Sequence, residues 1–422
     1  MSEWQLLEAL NEFDVTEAEN IFGAELNANF EDALAEYREQ RAPVQRVAIV
    51  AEAFLPKVDG VSKSAYLTIR YLQQTGREAL VFAPDISIRS VGETRVVPMR
   101  SLGLRLAPET RIALPSRSIG KYFDEFRPDL LHLFSPVWLS LSAVMAARKR
   151  GIPIVANYQT DLPGYAIEYG LPKFTAQWAK RMLRFMHNRC HVNLVPSTHT
   201  LSELQSWGFK RLRIWKRGVS TTRYHPYKST PRWRESLLNG RDPAALLCLY
   251  VGRLAQEKRI RLLSDVARMP GVALTIIGDG VDRPHLEAEF AETDTFFTGY
   301  LFGEELSQAF ASADVFLFPG MAETFGQVVQ EAMASGLPCV VANKGGAADL
   351  IEDGTSGYLV EPTAAAFASA VRQLRDDRDH CLQLGQAARR QAEQAPWEKI
   401  LSELEAHYEH AVRLNQRAQR LR

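Results

Sequence analysis

The segment from Pro319 to Pro362, PGMAETFGQVVQEAMASGLPCVVANKGGAADLIEDGTSGYLVEP, decides how the chain is interpreted. It follows an apolar run typical of a strand, Val315–Phe318, and turns sharply through Pro-Gly. The pattern then predicts a helix from near Thr324 to Gly336. Because a helix N-terminus presents unpaired N–H groups and partial positive charge, this turn suits a phosphate.

Two carboxylates, Glu323 and Glu331, lie on either side of the predicted helix start. An ionised carboxylate only accepts hydrogen bonds, whereas a diol donates two, so both positions suit hydroxyl groups. A phosphate site flanked by hydroxyl-binding groups matches the chemistry of a nucleotide-sugar, which is the first hypothesis for a ligand.

The length and composition of the chain limit the functions that it is expected to have. The 422 residues predict two to three domains, and equal numbers of basic and acidic side chains (50 each) disfavour a nucleic-acid partner. Four widely separated cysteines without a CxxC pair indicate reduced residues. The N-terminus lacks a signal-peptide pattern and no apolar run reaches membrane-spanning length. We therefore expect a cytoplasmic protein, with any contact to the inner face of the cell membrane being peripheral.

Strands and helices alternate along two stretches, which predicts an α/β chain with two doubly wound, Rossmann-like domains. The predicted units are an acidic helical extension (1–42), a first domain that binds the acceptor (43–217), a connection (218–243), a second domain that binds the donor (244–395) and a final helix crossing back to the first domain (396–422). The extension is expected to pack on its neighbour, with an oligomerisation or regulatory role as the alternative.

Buried parallel strands are predicted from continuous apolar runs. In the first domain these are Val47–Ala51, Ala79–Ala83, Leu130–Phe134, Ile154–Asn157 and Val192–Val195; in the second they are Leu246–Val251, Ala273–Ile277, Thr295–Thr298, Val315–Phe318 and Cys339–Ala342. Because ligands bind beyond the carboxyl ends of such strands, the candidate site segments are Phe54–Lys63, Phe134–Trp138 and Tyr158–Tyr165.

A basic amphipathic helix is predicted between Lys173 and His191. Its apolar positions are Phe174, Trp178, Met182, Phe185 and Met186, interspersed with Lys180, Arg181, Arg184 and Arg189. Such a helix either lies on an anionic membrane surface or packs its apolar face on the domain core. The sequence leaves both open.

Two cations, Arg253 and Lys258, follow the first strand of the second domain in the string GRLAQEK. At a cleft they would offset the charge of a diphosphate, although taken alone the motif is typical of solvated loop cations. The nine histidines lack metal-ligand spacing, and the Asp377/Asp379 pair lies away from strand ends. We therefore expect no metal and no cofactor, with helix termini and basic side chains balancing the phosphate charge.

Taken together, these motifs and the Gly345-Gly346 and Asp353-Gly354 turns resemble glycosyltransferase family 4, over about residues 45–412. The resemblance implies the GT-B fold, in which two Rossmann-like domains face each other across a cleft. The stretches FLPKVDGVSKS, YQTDLPGY, LVPSTHTLSEL, RLRIWKRGV and YVGRLAQEK are similar to glycolipid-forming members, above all sulfoquinovosyl-diacylglycerol synthases. Glycolipid mannosyl- and glucosyltransferases share many of them.

The resemblance also implies residue roles. Glu323 would contact sugar hydroxyls and Glu331 the ribose diol. Arg253 and Lys258 would neutralise the leaving phosphates, and Gly60 would let the first-domain loop approach the donor. Backbone N–H groups for the diphosphate would come from Thr324, Phe325 and Gly326.

The chain departs from the family pattern at two places. Gln159 stands where members usually have a histidine that touches the transferred sugar or the acceptor. Because Gln hydrogen-bonds but does not titrate near neutrality, we expect an effect on donor choice or rate. The usual GVD string also reads Gly218-Val219-Ser220, which we assign to the connection alone.

The expected function is retaining transfer of a sugar from an NDP-sugar, UDP-sulfoquinovose or UDP-glucose, to a lipid hydroxyl such as that of diacylglycerol. Catalysis would depend on Glu323, Arg253, Lys258 and Gln159, and Lys57 or Lys63 would bind a sulfonate. Alternatives are GDP-mannose-dependent transfer, a soluble acceptor, a nucleotide-sugar epimerase and a non-catalytic nucleotide-sugar-binding protein. The sequence does not indicate the oligomeric state.

Overall fold

The computed structural model describes residues 44–55, 60–85, 87–104, 107–134, 136–164 and 172–421. The predictions made for the acidic extension (1–42), for Lys57 and for the end of the segment at Tyr165 fall outside these residues.

The first sheet is built from residues 46–214. Its strands are β1 (Arg46–Ala51), β2 (Glu78–Pro84), β3 (Ser90–Val91), β4 (Thr94–Met99), β7 (Leu130–Phe134), β8 (Ile154–Asn157), β9 (Val192–Val195) and β10 (Leu212–Ile214), while β5 (Ser101–Leu104) and β6 (Ala107–Ala113) form a separate hairpin. The order β10-β9-β8-β7-β1-β2-β4-β3 is parallel except at β3–β4. After β1 the chain adds strands first on one side, beginning with β2, and then on the other, beginning with β7. The loops that follow β1 and β7 therefore leave in opposite directions and border a crevice.

The second sheet is parallel throughout its described strands. These are β11 (Leu246–Val251), β12 (Val272–Ile277), β13 (Phe296–Gly299), β14 (Val315–Phe318), β15 (Cys339–Ala342) and β16 (Gly357–Val360), in the order β13-β12-β11-β14-β15-β16. The corresponding switch in strand order lies between β11 and β14. The loop carrying Arg253 and the loop beginning at Pro319 are therefore neighbours.

Helices cover both faces of the two sheets. They are α1 (Gly60–Gln74), α2 (Ile119–Phe126), α3 (Trp138–Arg150), α4 (Lys173–His187), α5 (Thr198–Ser206), α6 (Pro231–Leu238), α7 (Ser264–Ala267), α8 (Arg283–Glu289), α9 (Gly303–Ser312), α10 (Gln327–Ala334), α11 (Ala364–Asp376), α12 (Arg378–Ala392) and α13 (Trp397–Arg420). Short 3-10 turns occupy Pro226–Lys228, Gln256–Lys258, Ile260–Leu263 and Gly346–Leu350.

The last helix, α13, packs on the first sheet rather than on the second. Trp397, Leu404 and Tyr408 are fully buried in the core that also contains α1 and β1. The indole N–H of Trp215, just after β10, donates to the carbonyl of Ile400 at 2.8 Å. The final helix thus belongs to the core on one face of the first sheet, together with α1, while a second core lies on the other face.

Helix α6 was not expected within the stretch interpreted as the connection. Thr230 caps its N-terminus by accepting from the N–H of Trp233, and Pro231 and a left-handed Asn239 mark its start and end. Leu237 and Leu238 bury into the core of the second sheet. The start and stop signals were present, but the polar composition of the stretch concealed them.

Candidate active site

Helix α10 begins at Gln327, three residues later than predicted, because Gly326 adopts a left-handed conformation (φ +90°) at its N-cap. Thr324 and Phe325 therefore belong to the turn that leads into the helix. The N–H of Gly346 donates to the carbonyl of Glu323 at 2.7 Å, and a Cβ on Gly346 would lie 2.0 Å from the Thr324 carbonyl oxygen. Glycine at 346 is needed for this close packing.

The switch point of the second sheet brings two predicted site residues together. Lys258, in the 3-10 turn after β11, donates from Nζ to Oε1 of Glu323 after β14, and the two side chains are 15% and 23% exposed. Burial acts to lower the pKa of the Lys258 ammonium, but the adjacent Glu323 carboxylate outweighs it and raises that pKa. The Lys258 ammonium therefore stays protonated at neutral pH.

Arg253 lies on the same loop as Lys258 but has another partner. Its Nη2 is 2.5 Å from Oε1 of Glu257, a carboxylate that is 1% exposed, while the Arg253 side chain is 40% exposed. The arginine is thus held at the surface of the loop by a buried acid four residues later. Sequence reasoning missed Glu257, although it lies within the GRLAQEK string.

Glu331 is engaged from the first domain. Lys63, in the first turn of α1, donates from Nζ to Oε1 of Glu331 at 2.9 Å, and both side chains are less than one tenth exposed. The pair joins residues 268 positions apart, so the spacing of motifs gave no signal for it. The structure places Lys63 at the predicted ribose carboxylate; its role toward a sulfonate stays a prediction.

The turn at Thr324 also contacts the first domain directly. Its hydroxyl donates to the backbone carbonyl of Gln159 at 2.9 Å, and its own carbonyl accepts from the hydroxyl of Thr200 at 3.3 Å. Both polar atoms of the Gln159 side chain are buried without a hydrogen-bond partner among the described residues. Gln159 therefore lies against the predicted diphosphate turn with unused hydrogen-bonding capacity.

A second contact between the domains lies nearby at the start of α5. Asp349 Oδ2 accepts from the Thr198 hydroxyl at 2.5 Å and from the His199 N–H at 3.0 Å. A carboxylate at a helix N-terminus is favourable, and here it comes from the opposite domain. Thr198 and His199 lie in the LVPSTHTLSEL string, but a motif within one domain does not predict a partner in the other domain.

Gly60 is the first residue of α1 and is exposed. A Cβ added there would meet no described atom within 4 Å, so packing within the described protein does not require glycine. Its predicted role, close approach to a donor, stays a prediction.

Glu52, at the end of β1, is a positioning group that sequence reasoning missed. Its carboxylate accepts from the N–H groups of Val137, Trp138 and Ser140 at 2.6, 3.1 and 2.9 Å. These are the orphan donors at the start of α3, so Glu52 fixes that helix across the switch point of the first sheet. Burial raises the pKa of Glu52, opposed by these hydrogen bonds.

Helix α4 divides its apolar residues between two faces. Leu183 and Met186 are buried in the core, whereas Phe174, Trp178 and Phe185 are 72%, 52% and 50% exposed. The exposed rings share one side of the helix with Arg181, because these positions are three or four residues apart. The alternative in which the whole apolar face packs on the core does not hold for these three rings.

The described residues contain neither a membrane-spanning helix nor a metal-binding cluster of side chains. None of their helices combines the length and apolar character that crossing a bilayer requires. Within the same ranges, no group of three or more His, Cys, Asp or Glu side chains is arranged to hold a metal ion.

Two parallel α/β sheets with their switch points facing each other, and basic and acidic side chains meeting between them, define the GT-B class of glycosyltransferases. Residues 58–223 match the family model for Glycosyltransferase Family 4, and residues 232–391 match that for Glycosyl transferases group 1. The chain belongs to glycosyltransferase family 4, and the predicted family and fold are confirmed.

Several known proteins are similar over most of their length. A GDP-mannose-dependent alpha-mannosyltransferase of Mycobacterium tuberculosis is 39% identical, covering 87% of this chain and 97% of the relative. Sulfoquinovosyl transferase SQD2 of Arabidopsis thaliana is 32% identical, covering 92% and 77%. The solved structure of Anabaena HepE in complex with UDP superposes with a TM-score of 0.70 at 19% identity, covering 86% and 98%, which supports the fold alone.

Proposed function

We propose that the protein transfers a hexosyl group from a nucleoside diphosphate sugar to a lipid hydroxyl, with retention of anomeric configuration. The observation that carries the proposal is the convergence of Glu323 with Lys258, and of Glu331 with Lys63, around the Thr324 turn. Carboxylates suit the sugar and ribose hydroxyls, while the ammonium groups and the turn's N–H groups suit the diphosphate.

Two donors are supported by different relatives. GDP-mannose is favoured by the mannosyltransferases that are 36–39% identical over nearly their whole length. A sulfoquinovosyl donor is favoured by sulfoquinovosyl transferase SQD2, which is 32% identical. The greater identity, and the larger share of each mannosyltransferase that is matched (90–97% against 77% for SQD2), rank GDP-mannose first, ahead of the UDP-sugars that the sequence motifs alone favoured.

A lipid acceptor is supported by the relatives and by the exposed face of α4. An alpha-monoglucosyldiacylglycerol synthase of Acholeplasma laidlawii, 26% identical, is named for a glycolipid product. Phe174, Trp178 and Phe185 present apolar rings beside Arg181, a combination that suits the boundary of an anionic bilayer. We infer that the enzyme is peripheral and takes its acceptor from the membrane surface.

The chemistry we infer is a displacement on one face of the sugar. The bond from the anomeric carbon to the diphosphate oxygen breaks while a bond to the acceptor oxygen forms on the same side, and the acceptor's proton passes to the leaving phosphate. Glu323 is bound by Lys258, which favours an electrostatic and hydrogen-bonding role over a role as nucleophile. The protein supplies orientation and charge stabilisation.

The test is to incubate the purified chain with GDP-mannose, UDP-glucose or UDP-sulfoquinovose and diacylglycerol vesicles, and to detect glycolipid by mass spectrometry. Proton couplings at the anomeric carbon of the product report retention. Glu323→Gln preserves shape but not charge and should lower kcat by about 100-fold or more, the order found when a transition-state group is removed. Release of free nucleotide without glycolipid would point to a soluble acceptor, and near-normal activity of Glu323→Gln would contradict the proposed site.

A further inference from the structure

The buried guanidinium of Arg217 has no place in the function described so far. The residue lies between β10 and the second domain and is 6% exposed. Its Nη1 has no hydrogen-bond partner, and Arg217 forms no ion pair within the described ranges. A buried charge without a counter-charge is costly, so its presence calls for a compensating group.

The neighbours of Arg217 do not supply that group. Its Cζ lies 5.1 Å from the centre of the Trp215 ring, which gives only cation–π stabilisation. His132 interacts electrostatically with Arg217, but it is buried and neutral and so provides no negative charge. Burial, and to a lesser extent Arg217 and His407, lower the pKa of His132 to about 3. Burial also lowers the pKa of Arg217 to about 9, which still leaves the guanidinium ionised at pH 7.

Further unsatisfied polar groups occur at and just after the end of β8, beside His132. Asn157 is 1% exposed; its Oδ1 pairs with His132 Nε2 at 3.0 Å, and its Nδ2 has no partner among the described residues. Gln159, two residues further along the chain, has a side chain with both polar atoms unused. A water molecule would satisfy one or two of these donors but would leave the positive charge uncompensated.

Backbone contacts hold Arg217 and Gln159 against the second domain. The carbonyl of Arg217 accepts from Gln330 Nε2 at 3.0 Å, and Gln330 precedes Glu331 on α10. The carbonyl of Gln159 accepts from the Thr324 hydroxyl. Both residues thus abut the elements to which we assign the nucleotide-sugar.

We propose that Arg217, with Asn157 and Gln159, forms an oxyanion-binding subsite that takes a sulfonate, carboxylate or phosphate carried by the sugar or by the lipid acceptor. The inference rests on the proposed function. The diphosphate of the donor is a different anion, which we assign to Lys258 of the second domain. The subsite would make this enzyme selective for an acidic substrate.

Anion binding is tested without turnover by thermal unfolding of the full chain in sodium methanesulfonate or inorganic phosphate against sodium chloride of equal ionic strength. The wild type should gain melting temperature in the oxyanion, as should Lys216→Met, a control that removes an exposed neighbouring charge. Arg217→Met should lose the gain while folding normally, because it removes an uncompensated buried charge. Arg217→Lys, which keeps the charge but not the planar fork, should retain part of it. Equal gains in wild type and Arg217→Met would overturn the proposal.

Turnover then identifies which substrate carries the anion. One arm compares UDP-sulfoquinovose with UDP-glucose on diacylglycerol, and the other compares phosphatidylinositol with diacylglycerol as acceptor for GDP-mannose. Arg217→Met should lower kcat/KM about 10- to 100-fold for the anionic member of one arm, the range expected for a charge-assisted hydrogen bond, and by less than about threefold for its neutral counterpart. A uniform loss on all substrates, or weakened binding of UDP alone, would overturn the proposal. If even the wild type turns over no donor, the proposed function is wrong. The melting temperatures then still show whether Arg217 binds an oxyanion.

Discussion

The ion pair between Lys63 and Glu331 should contribute measurably to stability, because it is buried and joins the two domains. At 2.9 Å and an effective dielectric constant of about 20, the Coulomb attraction is about 6 kcal/mol, and desolvation of both ions offsets much of it. Removing one partner takes from the other buried charge the ion pair that offsets its desolvation, so Lys63→Met and Glu331→Gln should each lower the free energy of unfolding by about 3 kcal/mol.

A double-mutant cycle isolates the pair itself. We expect the double variant Lys63→Met/Glu331→Gln to lose about 2 kcal/mol less than the sum of the single losses, measured from urea midpoints for transitions whose m value is unchanged. The matched control is Arg413 with Glu409 on α13, where both side chains are about half exposed and the coupling should stay below about 0.5 kcal/mol. A coupling for Lys63 and Glu331 as small as the control's would mean that the cross-domain pair does not form in solution.

Three further predictions concern acid, the Thr324 turn and the membrane. Burial lowers the pKa of four histidines to about 3 or 4, namely His132, His187, His191 and His407. Below pH 6.5 the unfolded chain therefore binds protons that the folded chain does not, and the free energy of unfolding should fall by about 1.4 kcal/mol per pH unit per histidine. Urea titrations at pH 7 and pH 5 measure this fall, and equal stability at the two pH values would contradict the prediction. Gly346→Ala should lower kcat/KM at least about 10-fold, because its Cβ collides with the Thr324 carbonyl, while Gly103→Ala, which meets no described atom within 4 Å, should not. Trp178→Ser should weaken flotation with anionic vesicles several-fold, whereas Leu382→Ser, another exposed apolar position, should leave it unchanged, and equal effects would exclude α4 as the contact.

The strands that sequence predicted best are those buried on both faces. Leu246–Val251, Val315–Phe318 and Cys339–Ala342 have the predicted limits, since a parallel strand under helices on both sides is a continuous apolar run. The strands that were missed are short or lie near sheet edges, such as Thr94–Met99, where Arg95 and Pro98 interrupt the apolar residues. Solvent on one side removes the very signal on which such a prediction depends.

The candidate site divides in the same way. Lys258 and Glu323 were predicted to share a pocket because each follows a strand that ends at the same edge of one sheet. The contacts between domains were not predicted, because no rule of local spacing connects Lys63 to Glu331 or Asp349 to Thr198. Only the folded arrangement reveals which side chain of one domain completes the site of the other.

Arg217 shows why burial cannot be inferred from local composition. In a polar stretch with Lys216 and a glycine beside it, an arginine is normally solvated, and the sequence gave no reason to expect otherwise. In the structure the arginine is buried, and Gln327 and Gln330 of α10 donate to the carbonyls of Gly218 and Arg217, which holds this part of the chain against the helix that carries Glu331. The backbone of the residue that carries the buried charge therefore takes part in the contacts that join the two domains. Closure of the cleft and completion of the oxyanion subsite should consequently occur as one event, and a substrate that lacks the anion would leave the cost of burying Arg217 uncompensated.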